Sequence, residues 1–373
     1  MRVQITFRIM EVLTDKHLLA HPHSSLELPA VRALSLSPIL FAQVPASLDI
    51  PVMRLTSIIG AKPNRPAAIV RAKTILTTSF VSFLKHRFQP GSSPTPEDNP
   101  SVRVAQKQLN EWTEMTSALV GVIPPVGLFP LMDLWRLAVL DSRLASTTAA
   151  ASLQKKIAEY VEKSTHSGSI SDVPKPVLLT TLRLTANTFA FSNASSLGDV
   201  SPVLVASLLH PDASVRSAAA SVAFNIAAMR HAGVKDSDTY WEELARREED
   251  GSGADDVELV CVLLEAIERE KESEDVGTFS FFLFVVCRLG RPTLRMVRIV
   301  HRLVASLGLL VYLSPSCSPD NSELGDTLEV LGAKEKILSK LESSGFGTED
   351  SSSGVGKEEV RKLIEEVGGR LCR

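Results

Sequence analysis

Residues 177–231 constrain the fold most strongly, because they have the pattern of one unit of a helical repeat. A turn at Pro211 and Asp212 precedes a predicted helix whose apolar residues recur at steps of three and four. These residues share one helix face: Val215, Ala219, Val222, Ile226 and Met229. A similar stripe lies before the turn: Leu178, Leu182, Ala186 and Phe189. Since no such helix can bury its apolar face alone, the pattern predicts an all-α, armadillo- or HEAT-like helical repeat superhelix.

The composition fits helix-on-helix packing and argues against several classes of protein. Hydrophobic residues make up 44% of the 373 residues and aromatic residues only 5%, so aliphatic side chains must fill the core. The net charge of −3 argues against nucleic-acid binding, which usually needs an excess of Lys and Arg. The longest apolar run, 279–287, is far shorter than the roughly 20 residues that span a bilayer, so we expect no stable membrane insertion.

Two further features concern the cellular compartment. The N-terminus has charges inside its apolar run and no small-residue cleavage site, which is unlike a signal peptide. The four cysteines are scattered and fit neither a metal-ligand nor a redox spacing, which suits a reducing compartment. We therefore expect a protein of the cytoplasm, or of the cytoplasm and the nucleus.

The chain divides into three parts. Residues 1–89 predict a partly helical N-terminal extension, in which Pro29 and Pro38 favour a linker or an extended strap over a domain. Residues 90–100 (PGSSPTPEDNP) predict a flexible Pro-rich linker. Residues 101–373 predict a succession of helices, which end with two amphipathic helices over 326–341 and 357–371.

Residues 277–300 differ from their surroundings, being rich first in Phe and then in Arg. One interpretation is a basic amphipathic patch for an anionic membrane surface or an acidic partner. The interpretation that we favour is an atypical insertion that interrupts the helical array, because an exposed run of phenylalanines is an aggregation liability.

Several strings in the helical part resemble a known family. They are GLFPLMDLWRLAV, LLTTLRLTANTFAF, ASVRSAAASVAFNIA, HRLVASLGLLVYLS and LGAKEKILSKL. Together they are similar to the PUL domain, an armadillo-like module of proteins in ubiquitin-dependent degradation, over roughly residues 102–372. The resemblance implies binding of the C-terminal tail of the AAA ATPase known as valosin-containing protein, through a basic groove on the concave face.

Three arginines lie inside or at the edge of otherwise apolar predicted helices: Arg136, Arg183 and Arg302. A charge in such a place is costly unless it is paired or faces a groove, and a guanidinium suits a carboxylate because it makes two parallel hydrogen bonds. Asn187 lies four residues after Arg183 and so on the same helix side. The resemblance favours partner binding by the three arginines, and Asn187 is a fourth candidate because of its place beside Arg183. The alternative is that each arginine pairs internally, as Arg136 can with Asp133.

Enzyme motifs are missing from the sequence. It contains no Gly-x-Ser-x-Gly elbow, Walker A loop, Gly-x-Gly-x-x-Gly after a strand or His-Glu-x-x-His. We therefore predict a non-catalytic protein with no cofactor and no metal site, and the resemblance implies an adaptor that works with proteins of the ubiquitin pathway.

Two other interpretations stay open. One is a generic helical-repeat scaffold with an unrelated partner. The other is a fragment of a larger isopeptidase, because the strip HPHSSLELPAVRALSLSPILF resembles the linker that follows thioredoxin-like and papain-like domains in fungal multidomain proteins. This sequence departs from those proteins in having no Cys-x-x-Cys and no cysteine before Cys261.

Overall fold

A computed structural model describes ten segments of the chain, and no strand occurs in them. The segments are 28–44, 47–61, 66–88, 105–167, 172–191, 201–236, 254–270, 294–313, 323–343 and 355–372. The helices are α1 (Pro29–Arg32), α2 (Asp49–Gly60), α3 (Ala67–Ile75), α4 (Val81–Arg87), α5 (Gln106–Val122), α6 (Phe129–Ala138), α7 (Ser142–Ala145), α8 (Thr148–Ser167), α9 (Lys175–Thr188), α10 (Ser201–Leu208), α11 (Ala213–Asp236), α12 (Ala254–Arg269), α13 (Leu294–Leu313), α14 (Glu323–Val330), α15 (Ala333–Ser343) and α16 (Val355–Glu366). A π-helical turn, Leu76–Phe80, joins α3 to α4, and another, Val367–Leu371, follows α16.

The longer helices form two rows. Helices α2, α6, α9, α11, α13 and α16 contact one another in that order and make the first row. Helices α3, α5, α8, α10, α12 and α15 do the same in the second row. Contacts between the rows, such as those of α10 with α11 and of α12 with α13, bury one continuous apolar core. The structure thus confirms an all-α helical repeat fold, and its superhelical course stays a prediction.

Helix α11 is the centre of the first row. Asp212 begins it: one carboxylate oxygen, Oδ1, accepts hydrogen bonds from the backbone N–H groups of Ser214 at 2.8 Å and Val215 at 3.4 Å. The predicted apolar stripe is too narrow, because every residue from 218 to 228 is buried. Small side chains on both sides allow α9 and α13 to approach α11 closely, so the helix has no polar face along this stretch.

An aromatic cluster ties the N-terminal helices to the repeats. The rings of Trp112 and Trp135 lie 5.3 and 5.2 Å from that of Phe80. The two indole N–H groups donate to Ser79 Oγ at 3.0 Å and to Thr116 Oγ1 at 2.9 Å, so both tryptophans are buried with their polar atoms satisfied. The described part of the N-terminal extension therefore shares a core with the helical domain. The predicted linker, 90–100, lies outside the described residues.

The same helices contain the chain's one candidate membrane span within the described segments. By length and hydropathy alone, Ala67–Arg87 is long and apolar enough to cross a bilayer. In the structure its apolar residues Leu76, Phe80 and Leu84 are fully buried in the protein core. These residues pack against α5 and α6, and 33% of the apolar window is buried in the protein.

Two segments differ from the sequence prediction near the C-terminal end. The helix predicted over 326–341 is two helices, α14 and α15, because Gly332 takes a left-handed conformation with φ +62° between them. Residues 294–300, assigned above to the insertion 277–300, form the first turns of α13, where Ile299 and Val300 are buried. The predicted insertion therefore overlaps a core helix, and its remaining part, 277–293, lies outside the described residues.

Candidate peptide-binding groove

Residues 34–44, which we call the strap, lie across the first row of helices. The strap follows α1, whose position is fixed by the buried carboxylate of Glu366 at the end of α16. This carboxylate accepts hydrogen bonds from the N–H groups of Ala30 at 2.8 Å and Val31 at 2.9 Å. From this anchor the strap runs past α11 and α9 to α6, in the direction opposite to the order of the repeats. The extended strap predicted from the two prolines is thus held against the repeat domain.

Two asparagines hold the main chain of the strap. Asn187 on α9 accepts a hydrogen bond from the Phe41 N–H at 2.6 Å and donates to the Phe41 carbonyl at 3.2 Å. Asn225 on α11 does the same with Ile39, at 2.7 and 3.1 Å. Ile39 and Phe41 are two residues apart, and backbone groups at that spacing lie on the same side of an extended chain. The two asparagines therefore recognise main chain and leave the side chains of the bound segment largely unspecified.

Each asparagine also bonds to the preceding first-row helix. The Asn187 amide donates to the Arg136 carbonyl at 2.7 Å, and the Asn225 amide donates to the Ala186 carbonyl at 3.2 Å. Their side chains are buried, with residue exposures of 0% and 1%. These interactions satisfy one amide oxygen and two N–H donors on each asparagine. The repetition from α9 to α11 makes a regular floor, which we call the strap groove and define by Arg136, Asn187 and Asn225.

Arg136 ends the strap groove on α6. Its Nη1 donates to the carbonyls of Phe41 and Gln43, the latter at 3.0 Å, and its Nε donates to Asp133 Oδ1 at 2.8 Å. The internal pair of Arg136 with Asp133, weighed above as the alternative to partner binding, is therefore present. In this structure Arg136 binds the chain's own strap.

Arg183 lies beside the strap groove, and among the described residues no carboxylate is within ion-pair distance of it. Its guanidinium carbon stands 5.7 Å from the centre of the Phe41 ring, within the range of a cation–π contact. Its buried Nε has no hydrogen-bond partner in the part of the chain that the structure describes. Burial lowers the pKa of Arg183, and the positive charge of Arg136 lowers it further, opposed by Asp133. The site is thus electrostatically short of negative charge.

Arg302 is in a similar state on α13. Its Nη1 donates to Ser221 Oγ at 2.7 Å and to the Ser217 carbonyl at 3.2 Å, both on α11. No carboxylate lies within ion-pair distance of it among the described residues. Burial lowers the pKa of Arg302 and the like charge of Arg298, one helical turn earlier and exposed, lowers it further. Neutral hydroxyl and carbonyl groups bind the guanidinium but leave its charge unneutralised.

The structure brings three of the four predicted site residues together at the strap. Arg136, Asn187 and Arg183 contact the strap, whereas the hydrogen bonds of Arg302, on α13, go to α11. Sequence reasoning missed Asn225, which stands between Phe224 and Ile226 in an apolar stretch of α11. That position was a usable signal, because a buried amide must find hydrogen-bond partners.

Comparison with known proteins gives one result on family. A model of the PUL domain matches residues 78–278, more than half of the chain. The match begins in the described part of the N-terminal extension and continues through α12. No curated protein matches the chain. The match agrees with the resemblance seen in the helical strings, and the chain belongs to the PUL domain family.

Proposed function

We propose that this protein is a non-catalytic adaptor whose first-row surface binds the acidic C-terminal tail of a valosin-containing-protein-type AAA ATPase. Membership of the PUL domain family makes the chain a protein-interaction module. Binding of an acidic tail is supported by the unneutralised charge of Arg183 and Arg302. The proposal includes the link to ubiquitin-dependent processing and the cytoplasmic or nuclear location expected from the sequence.

The observation that supports the proposal best is that both arginines are partly buried but not ion-paired in the described segments. A folded protein normally pairs such charges, because removing an unpaired charge from water costs several kcal/mol. A ligand carboxylate would recover that energy with two parallel hydrogen bonds from either guanidinium. Exposed Arg298 adds positive charge to the approach and favours a negatively charged partner.

The test is titration of the full chain with a synthetic peptide of the ATPase's C-terminal tail. We expect Arg183→Ala and Arg302→Ala each to weaken binding by about tenfold, which corresponds to about 1.4 kcal/mol for one charged hydrogen-bonded contact. Binding by the unmodified chain should also weaken when the salt concentration rises from 50 to 300 mM, because screening shortens the reach of the charges.

Lys155→Ala is the matched control. It removes one positive charge from an exposed position on second-row helix α8, away from the strap, and should leave the affinity unchanged. Unaltered binding in both arginine variants, with native helical content, would contradict the proposal. A salt-independent affinity would contradict it as well.

A further inference from the structure

The strap groove has the properties of a peptide-binding site that is already filled. In the strap, the hydrogen bonds of Asn187 and Asn225 go to backbone N–H and carbonyl groups of Phe41 and Ile39. These contacts are equally open to any extended peptide, whichever side chains it carries. We propose that the strap is an internal ligand of this site and that a partner peptide binds by displacing it. This inference deepens the proposed function and rests on it for the identity of the partner.

The strength of anchoring differs along the N-terminal segment. Leu28 and Val31 are buried, at 0% and 3% exposure, and α1 is held by the Glu366 carboxylate. In the strap itself no residue is fully buried, and Leu40 is 39% exposed. The strap is therefore less firmly anchored than α1, so it can exchange for another peptide while α1 remains as a fixed hinge.

Charge supplies the reason for exchange. Residues 34–44 (LSLSPILFAQV) contain no ionisable side chain, so the strap satisfies the asparagine amides and places the Phe41 ring beside Arg183 but brings no negative charge to it. An acidic peptide in the same position would keep the main-chain hydrogen bonds and could add a carboxylate beside Arg183, next to the place that the Phe41 ring now occupies. The partner is thus specified by chemistry: an extended, negatively charged peptide whose backbone replaces that of the strap.

Buried polar atoms make the two occupants mutually exclusive. Each asparagine has one Oδ1 and one Nδ2 hydrogen directed at the strap, and its other Nδ2 hydrogen is used by the preceding helix. No N–H donor remains on either asparagine for the carbonyl of a second peptide backbone. Binding of the partner at the asparagines therefore requires that Ile39 and Phe41 release theirs.

The first experiment is hydrogen exchange on the full, unmodified chain. Without ligand, we expect the amides of Ile39, Phe41 and Val31 to be protected, because each donates to a side chain of the repeat domain. Saturating tail peptide should speed exchange of the Ile39 and Phe41 amides at least about tenfold and leave the Val31 amide unchanged. Bound peptide with undiminished protection at Ile39 and Phe41 would overturn the proposal.

The second experiment uses proline, which lacks the N–H donor but keeps an extended backbone. The double variant Ile39→Pro/Phe41→Pro removes both donors to the asparagines. We expect the double variant to bind the tail peptide at least about tenfold more tightly than the unmodified chain. This gain corresponds to an unmodified chain whose strap is released less than about a tenth of the time. The control Leu40→Pro/Ala42→Pro carries the same number of prolines at exposed positions and should not gain affinity.

A third measurement separates this inference from the identity of the ATPase. A labelled peptide of residues 34–44 should bind in trans to the Ile39→Pro/Phe41→Pro chain. Adding Asn187→Ala and Asn225→Ala to that chain should abolish the binding. Failure of the tail peptide together with success of the strap peptide would refute the ATPase partner and keep the internal-ligand assignment. Failure of the strap peptide on a chain with native helical content would refute the assignment itself.

Discussion

Replacing Asn187 by alanine tests whether the strap groove is held together in the way described above. The side chain makes three hydrogen bonds, to the Phe41 N–H, the Phe41 carbonyl and the Arg136 carbonyl. At a net value of about 1 kcal/mol for each bond, their loss amounts to about 3 kcal/mol. The Phe41 groups regain water if the strap lifts away, whereas the Arg136 carbonyl stays inside. We therefore expect Asn187→Ala to lower the free energy of unfolding by about 2–3 kcal/mol.

Urea unfolding monitored by circular dichroism measures this loss, and a double-mutant cycle assigns it. Phe41→Pro removes the N–H that Asn187 accepts, so the two changes delete the same bond. The loss in the double variant should be smaller than the sum of the single losses by about 1 kcal/mol. Thr188→Ala is the control: the Thr188 hydroxyl donates only to the Thr185 carbonyl of its own helix, at 2.7 Å, and its removal should show no coupling to Phe41→Pro.

Two outcomes would refute the reasoning. A loss below about 0.5 kcal/mol in Asn187→Ala would mean that the amide is not a supporting element of the groove. Strict additivity with Phe41→Pro would mean that the strap and α9 do not interact through this side chain.

Two further changes test the packing and the electrostatics of the first row. A Cβ added at Gly308 would meet Val367 Cγ2 at 2.8 Å. Gly308→Ala should therefore lower the thermal midpoint and destabilise the fold by about 1–3 kcal/mol. Gly369→Ala is the control, because nothing lies within 4 Å of its added Cβ and no clash is expected. Burial raises the pKa of Asp212, but hydrogen bonds from Lys175 and Ser214 outweigh it and lower the pKa to about 2. Because the folded-state pKa lies below the unfolded value, this carboxylate stabilises the fold above about pH 4, and the contribution is lost as the pH falls towards 2. The difference in thermal midpoint between the unmodified chain and Asp212→Asn should accordingly be largest near pH 7, shrink below about pH 4 and disappear only below about pH 2, and a pH-independent difference would contradict it.

The sequence predicts well whatever depends on local periodicity. The stripes through α9 and α11, the turn at Pro211 and the buried helix α6 all follow from apolar residues spaced at three and four positions, and the structure contains them. The ion pair of Arg136 with Asp133 could be predicted for the same reason, because side chains three residues apart on a helix are close neighbours. At Gly332 the periodicity continues across a break, because a single left-handed residue leaves the apolar pattern on both sides intact.

The strap groove could be predicted only in part from the sequence, because the residues that contact each other there are far apart in the chain. Phe41 and Asn187 are 146 positions apart, and Ile39 and Asn225 are 186 apart. Hydropathy shows that Arg183 is out of place in an apolar helix, but it does not show that a neutral segment from the N-terminal extension lies over it. For the same reason the prediction assigned the groove to a partner and did not foresee that the chain's own strap occupies it.

An occupied groove changes what determines affinity. With the strap removed and nothing in its place, Asn187 and Asn225 would each lose two bonds in a largely buried position, at about 1–3 kcal/mol for every group left unsatisfied. Partner binding is therefore an exchange, and the main-chain hydrogen bonds gained equal those given up. Only the difference between the two occupants counts, and that difference is the negative charge placed beside Arg183. A neutral peptide of the same length should consequently fail to displace the strap, although it can make every asparagine contact, and an acidic peptide should succeed in proportion to its carboxylates and to the absence of salt.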